Sequence, residues 1–174
     1  MKQLYSVLFS LFVFFSSFAQ NSVVIENALS GNPISEWGVP NFRDTRIAGF
    51  STKMSLNSGQ TVHFKISVEA AATFTLKIYR IGYYGGNGAR LIEDRGVLNG
   101  VVQPAGISDA TGILDCGNWG ESASWNIPTT AVSGLYIAKL ERTGGGSNHI
   151  AFIVRNDSRS ILHHFLHNSR YGKS

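Results

Sequence analysis

Thr61 to Val68 alternates without a break: Val62, Phe64, Ile66 and Val68 fall on one face, and Thr61, His63, Lys65 and Ser67 on the other. That period of two predicts a half-buried strand. Phe74 to Ile81 repeats the pattern, with Phe74, Leu76 and Ile78 inward. Leu135 to Glu141 places Tyr136, Ala138 and Leu140 on one face, while Leu135 and Ile137 are apolar on the other, which predicts cover on both sides. His149 to Val154 reads as its return strand across the loop Gly144-Gly145-Gly146-Ser147-Asn148. Ser122 to Ile127 alternates and stops at Pro128, which cannot donate to a ladder. Weaker patterns predict strands at Val23 to Ile25, Ile47 to Met54, Leu91 to Glu93, Val97 to Gln103 and Ile113 to Cys116. The fold class is therefore all-β: an immunoglobulin-like antiparallel β-sandwich of about seven to nine short strands. No convincing amphipathic helix is predicted after residue 20.

Gly82-Tyr83-Tyr84-Gly85-Gly86-Asn87-Gly88 closes the second strand. Gly82, Gly85, Gly86 and Gly88 are read as structural loop positions, with little room for a side chain at Gly82 and Gly85. Asp115-Cys116-Gly117-Asn118-Trp119 has a similar character, and the two loops are expected to meet at one end of the sandwich. Tyr136 follows a turn at the start of a late strand, where a tyrosine corner bonds its hydroxyl back to the backbone.

The first twenty residues have another use. Lys2 supplies a positive start, Leu4 to Phe18 is an apolar run, and Ser17-Phe18-Ala19 is a small-x-small cleavage pattern. This predicts a secretory signal peptide over residues 1–20. The run is shorter than the ~20 apolar residues that a membrane span needs. The expected organisation is a sandwich over 21–157 and a divergent, disordered tail over 158–174, exported to the periplasm, cell surface or medium, with no membrane contact after removal of the signal.

Charge changes little. The chain of 174 residues carries a net +4, but residues 21–154 hold ten Lys/Arg and ten Asp/Glu, so the body is neutral. A nucleic-acid face, which needs clustered basic residues, is not expected. Cys116 is the lone cysteine, so an exported chain has no internal disulfide to form.

Candidate chemistry is sparse. The Gly-rich loop lacks the following helix and the Lys-Ser/Thr pair of a phosphate site. His63 and His149 sit on polar strand faces and read as solvated. No Gly-x-Ser-x-Gly elbow occurs, and nothing near Cys116 suggests an activating histidine. Asp109, Asp115 and Glu121 read as loop caps. No catalytic residue, metal ligand or cofactor is assigned. The aromatics are the better candidates for contact with a ligand or another domain: Trp37, Tyr83, Tyr84 and Trp119, with Tyr84 and Trp119 foremost at the surface. Trp125 alternates with Ala123 and reads as core.

Several blocks occur in a recognisable order: Ile25-Glu26-Asn27, Ser35-Glu36-Trp37, Ile47-Ala48-Gly49-Phe50, Tyr79-Arg80-Ile81-Gly82-Tyr83-Tyr84-Gly85-Gly86, Asp115 to Trp119, Ser122 to Trp125, and Val132-Ser133-Gly134 with Tyr136. Together they resemble the region before the catalytic domain in secreted proteins of the N,N-dimethylformamidase large (beta) subunit-like family, over about Val23 to Asp157. The resemblance implies a non-catalytic module that supports or presents a following hydrolase-like domain. That domain's iron is held by tyrosines and a glutamate, none of which this chain contains. The alternatives are a module binding a glycan or cell-surface ligand through loop aromatics, and part of an amide hydrolase. Relatives often carry a second cysteine after the Gln-Pro that is Gln103-Pro104 here, and Gly106 stands near that place. The resemblance stops abruptly after Asp157, from which a truncated or frameshifted form of a longer protein is expected.

Overall fold

The regions with period two become the two sheets that enclose the core. The computed structural model describes residues 21–41 and 44–157, so the signal-peptide and tail expectations lie outside the described residues. Helix α1 (Ser22–Asn27) and the single turn α2 (Ile34–Trp37) come first. Ten strands follow: β1 (Ile47–Ser51), β2 (Ser55–Asn57), β3 (Thr61–Val68), β4 (Thr73–Ile81), β5 (Ala89–Asn99), β6 (Ile107–Ser108), β7 (Leu114–Asp115), β8 (Ala123–Asn126), β9 (Gly134–Arg142) and β10 (Ser147–Arg155). The chain is all-β in its sheets. One has the order β1-β3-β8, one β2-β10-β9-β4-β5, and β6-β7 is a separate hairpin. Among the described residues only β2 with β10 is parallel.

Val62, Phe64, Ile66 and Val68 of β3 and Trp125 of β8 meet Phe74, Leu76 and Ile78 of β4, Tyr136, Ala138 and Leu140 of β9, and Ile150, Phe152 and Val154 of β10 in one buried cluster. At its centre Phe152 lies 5.7 Å from Phe64, 6.1 Å from Trp125 and 5.9 Å from Tyr136, ring centre to ring centre. Tyr136 is buried, its hydroxyl donates to Val132 O at 2.7 Å, and burial pushes its ionisation up to about 12.

Three expectations are corrected. Residues Val23 to Ile25 form helix, not an edge strand. Asn21 caps the turn by accepting from Val23 N at 2.9 Å, and its carbonyl takes Val24 N and Ile25 N. An apolar triplet carries no period, so the cap decides. The stretch from Ala89 to Asn99 is one strand, rather than the two expected at Leu91 to Glu93 and Val97 to Gln103. Its pairing with β4 shifts between Thr75 and Lys77 and between Ile78 and Tyr79, so Asp94-Arg95-Gly96 is absorbed by irregular pairing. The loops after β4 and β7 lie apart: the first packs on α1 and α2, the second on the outer face of the small sheet, where Lys65 Nζ donates to Gly117 O at 2.7 Å.

The central position of Phe152 makes a prediction. Phe152→Ala should cost about 3–5 kcal/mol, read by urea denaturation. A loss under about 1 kcal/mol would show that the two sheets do not pack through this ring.

Candidate functional site

The end of β4 carries a charged cluster inside the fold. Arg80 is 2% exposed. Its Nη1 donates to Asn27 Oδ1 and to the Tyr84 hydroxyl, each at 2.9 Å, and its Nη2 donates to Ser133 O at 2.9 Å. The Tyr84 hydroxyl in turn donates to Glu26 Oε1 at 2.9 Å. The same carboxylate oxygen accepts from Arg90 Nε at 2.8 Å and Arg90 Nη2 at 2.6 Å. Both Nη atoms find partners, whereas Nε is buried without one; a carboxylate one hydroxyl away supplies the opposite charge. Burial raises the ionisation of Tyr84; the Arg80 bond opposes this and the Glu26 bond adds to it. The phenol stays neutral and can both accept and donate. Helix α1 is what brings Glu26 and Asn27 here, which is the physical consequence of residues 22–27 being helical.

Beside it lies a second set of bonds. The Trp37 indole donates to Asn32 O and Asn87 O, both at 3.1 Å. Glu36 O accepts from the Tyr79 hydroxyl at 3.2 Å and from Lys139 Nζ at 2.8 Å. His149 Nε2 lies 2.6 Å from Trp37 O. Tyr79 is pushed up to about 12 by burial, with Glu36 adding to it.

The named aromatics therefore divide. Tyr84 is a correction: it is 1% exposed, since the backbone turns left-handed at this residue (φ 43°) and sends the ring inward onto Arg80, whose Cζ lies 5.9 Å above it. Trp119 is half-buried, 5.8 Å from the Phe50 ring, with its indole donating to Pro104 O at 3.0 Å. Trp37 is half-buried against Tyr79, Ala89 and Ile137. Tyr83 is 70% exposed. Sequence reading missed Arg80, Glu26, Asn27 and Arg90; the signal was a lone arginine, Arg80, inside an otherwise apolar strand end. Asp109 and Asp115 cap their own loops, accepting from Thr111 N at 2.8 Å and Gly117 N at 2.7 Å. His63 Nδ1 pairs with Glu121 Oε1 at 2.9 Å. Among the described residues no three His, Cys, Asp or Glu side chains gather as a metal site would require.

The glycines divide as well. A Cβ at Gly82 would collide with Asn27 Oδ1 and stand 2.8 Å from the Tyr84 ring. One at Gly88, whose φ is +84°, would stand 2.9 Å from the Trp37 ring. Gly85 is a correction, because nothing lies within 4 Å of its Cβ position; it and Gly86 serve through positive φ alone. At Gly106 a Cβ would meet Leu114 Cδ1 and Cγ at 2.8 and 2.9 Å, so that side chain must shift, and would stand 3.0 Å from Cys116 Sγ, which is about the Cβ–Sγ separation across a disulfide.

These features place the chain among all-β proteins whose loop motifs serve the packing of the N-terminal segment. Residues 75–168 match the family model described as N,N-dimethylformamidase beta subunit-like, C-terminal. The chain belongs to that family. No curated protein matches it. Solved structures are weakly similar to it, among them these three. A Pseudomonas fluorescens alkylpurine DNA glycosylase bound to abasic-site DNA is 14% identical over 70% of this chain and 33% of its own, TM-score 0.33. An uncharacterized Bacillus anthracis protein is 16% identical over 78% and 91%, TM-score 0.33. A chitin-binding domain from Burkholderia pseudomallei is 19% identical over 60% and 57%, TM-score 0.31. This chain thus spans a third of the glycosylase and somewhat over half of the chitin-binding structure. At such scores the likenesses bear on neither ligand nor activity.

Three outcomes are predicted for variants. Tyr84→Phe removes the hydroxyl between Arg80 and Glu26 and should cost about 1–3 kcal/mol, measured by denaturation; an unchanged midpoint would show that the cluster does not stabilise the fold. Gly82→Ala should lower the melting temperature more than Gly85→Ala, which costs about 1 kcal/mol for φ alone; the reverse order would contradict the close approach of Asn27. Gly106→Cys should oxidise to an internal disulfide with Cys116, with no free thiol by titration and a melting temperature that falls on reduction; two titratable thiols in the oxidised protein would refute it.

Proposed function

We propose that this chain is an exported, non-catalytic module of immunoglobulin-like sandwich type, which in longer family members precedes an N,N-dimethylformamidase-like hydrolase domain and supports or presents it. The observation that carries this reading is where the family's motif residues direct their polar atoms. Arg80, Tyr84, Glu26 and Asn27 bond to one another, and Tyr79 and Trp37 bond to backbone carbonyls. A catalytic group needs polar atoms aimed at a substrate; these are committed to holding the N-terminal segment against the sheet. The bond from Tyr136 to Val132 O supports the immunoglobulin-like assignment, because such a bond defines a tyrosine corner. The run from Leu4 to Phe18 supports export.

The test is direct. The purified chain, supplied with iron, should not hydrolyse formamide, and its N-terminus from exported material should lie at Gln20 or Asn21. Turnover would overturn the first claim, and an intact Met1 in exported protein the second.

One observation favours a second reading, the binding of a glycan or surface ligand: Tyr83 is held on a tight loop with most of its ring in solvent. Tyr84 takes no part in it, because its ring is buried against Arg80; Trp119, half-buried beside the Phe50 ring, stays a candidate with Tyr83. Glycan-array binding lost in Tyr83→Ala supports this reading, and a blank array counts against it.

A further inference from the structure

Residues 32–38 form a strap across the outer face of the large sheet. Beneath it Tyr79, Ala89 and Ile137 are buried, with Trp37 packed on them. Its far end is fastened by three side chains from three adjacent strands reaching two successive carbonyls. Tyr79 of β4 and Lys139 of β9 donate to Glu36 O at 3.2 and 2.8 Å, and His149 of β10 lies 2.6 Å from Trp37 O. Only one of the three changes charge near neutral pH.

A carbonyl only accepts, so His149 holds its proton on Nε2 and leaves Nδ1 bare when the ring is neutral. A second proton creates an imidazolium in a half-buried site directly across the ladder from Lys139, which is 4% exposed. Lys77 stands opposite Lys139 on the other side. The acids around them are already engaged. Glu141 lies 3.0 Å from Lys139, Asp94 3.7 Å from Lys77, and Asp44 2.7 Å from Arg46 at the hairpin side. On the strap, Glu36 Oε2 accepts from Asn32 Nδ2 at 2.8 Å. The new charge thus meets a neighbouring cation and no carboxylate of its own. Burial first, then Lys139, lower the proton affinity of His149, opposed by its bond to Trp37 O.

We propose that the strap is a pH-operated clasp, closed while His149 is neutral and loosened on acidification, so that acid uncovers the apolar surface of Tyr79, Ala89 and Ile137. The sign follows from linkage. Opening the strap leaves Lys139 across the ladder but removes the burial of the ring, which lowers its proton affinity, and the Trp37 O bond, which raises it; burial is the larger of the two, so the clasped state prefers neutral histidine. Its contribution is complete above the ordinary histidine value of 6.5 and declines as pH falls below it.

The experiment is hydrogen exchange with mass-spectrometric readout at about pH 8 and about pH 5, on either side of the histidine range, corrected for intrinsic rates, together with NMR titration of His149. Peptides covering residues 32–38 should lose protection in acid relative to those from β3. The loss should approach tenfold for each pH unit by which the titrated value lies below that of an unfolded peptide. His149→Gln keeps a donor for Trp37 O but cannot titrate, and should show no such loss. An equal loss in His149→Gln, or none in the native chain, would overturn the proposal. Should the variant not fold, the titration decides alone: a folded value at or above the unfolded one sinks it.

Discussion

Arg80 imposes the constraint on which helix α1 and the loop after β4 depend. A guanidinium does not lose its charge, and leaving one buried without partners costs far more than a fold of this size can spare. The fold meets most of that demand with an oxygen from each of three places, Asn27 in α1, Tyr84 in the loop after β4 and Ser133 before β9, and leaves Nε buried without a partner. Glu26 balances the charge through the Tyr84 hydroxyl and is itself held by Arg90 from β5. The six-residue helix α1 is too short to persist unaided, so the cluster and its cap hold it in place.

This arrangement brings together blocks that are scattered along the chain. Ile25-Glu26-Asn27, Arg80 with Tyr84, and Ser133-Gly134 are far apart in sequence and adjacent in space. Ser35-Glu36-Trp37 is tied to the same region through Tyr79, Lys139 and His149. Gln103 and Ser122 join the second loop to β3, both reaching Ile66 O. The motifs are legible as joints between the covering segments and the sheets.

How far the sequence foretold this depended on the kind of signal. The long strands were legible, since period two in β3, β4 and β9 reports directly which face meets the core. Trp125 was placed correctly for the same reason. The helix at Val23 to Ile25 was not, because a short apolar run has no period and its cap is one residue, Asn21. Tyr84 read as a surface platform because its loop is Gly-rich; what turns it inward is a left-handed backbone at a tyrosine, held by bonds to residues 4 and 58 positions away. Long-range polar pairing of that sort leaves no local pattern.

The central claim is that this buried cluster holds helix α1 on the large sheet. The measurement that tests it most directly is a double-mutant cycle on Glu26→Gln and Arg90→Met, read by urea denaturation. The glutamate side chain is 9% exposed and the arginine 29%. For a pair so placed within one network the coupling should reach about 1 kcal/mol or more. A coupling near zero, like that of an exposed surface pair, with both single variants folded, would contradict the account.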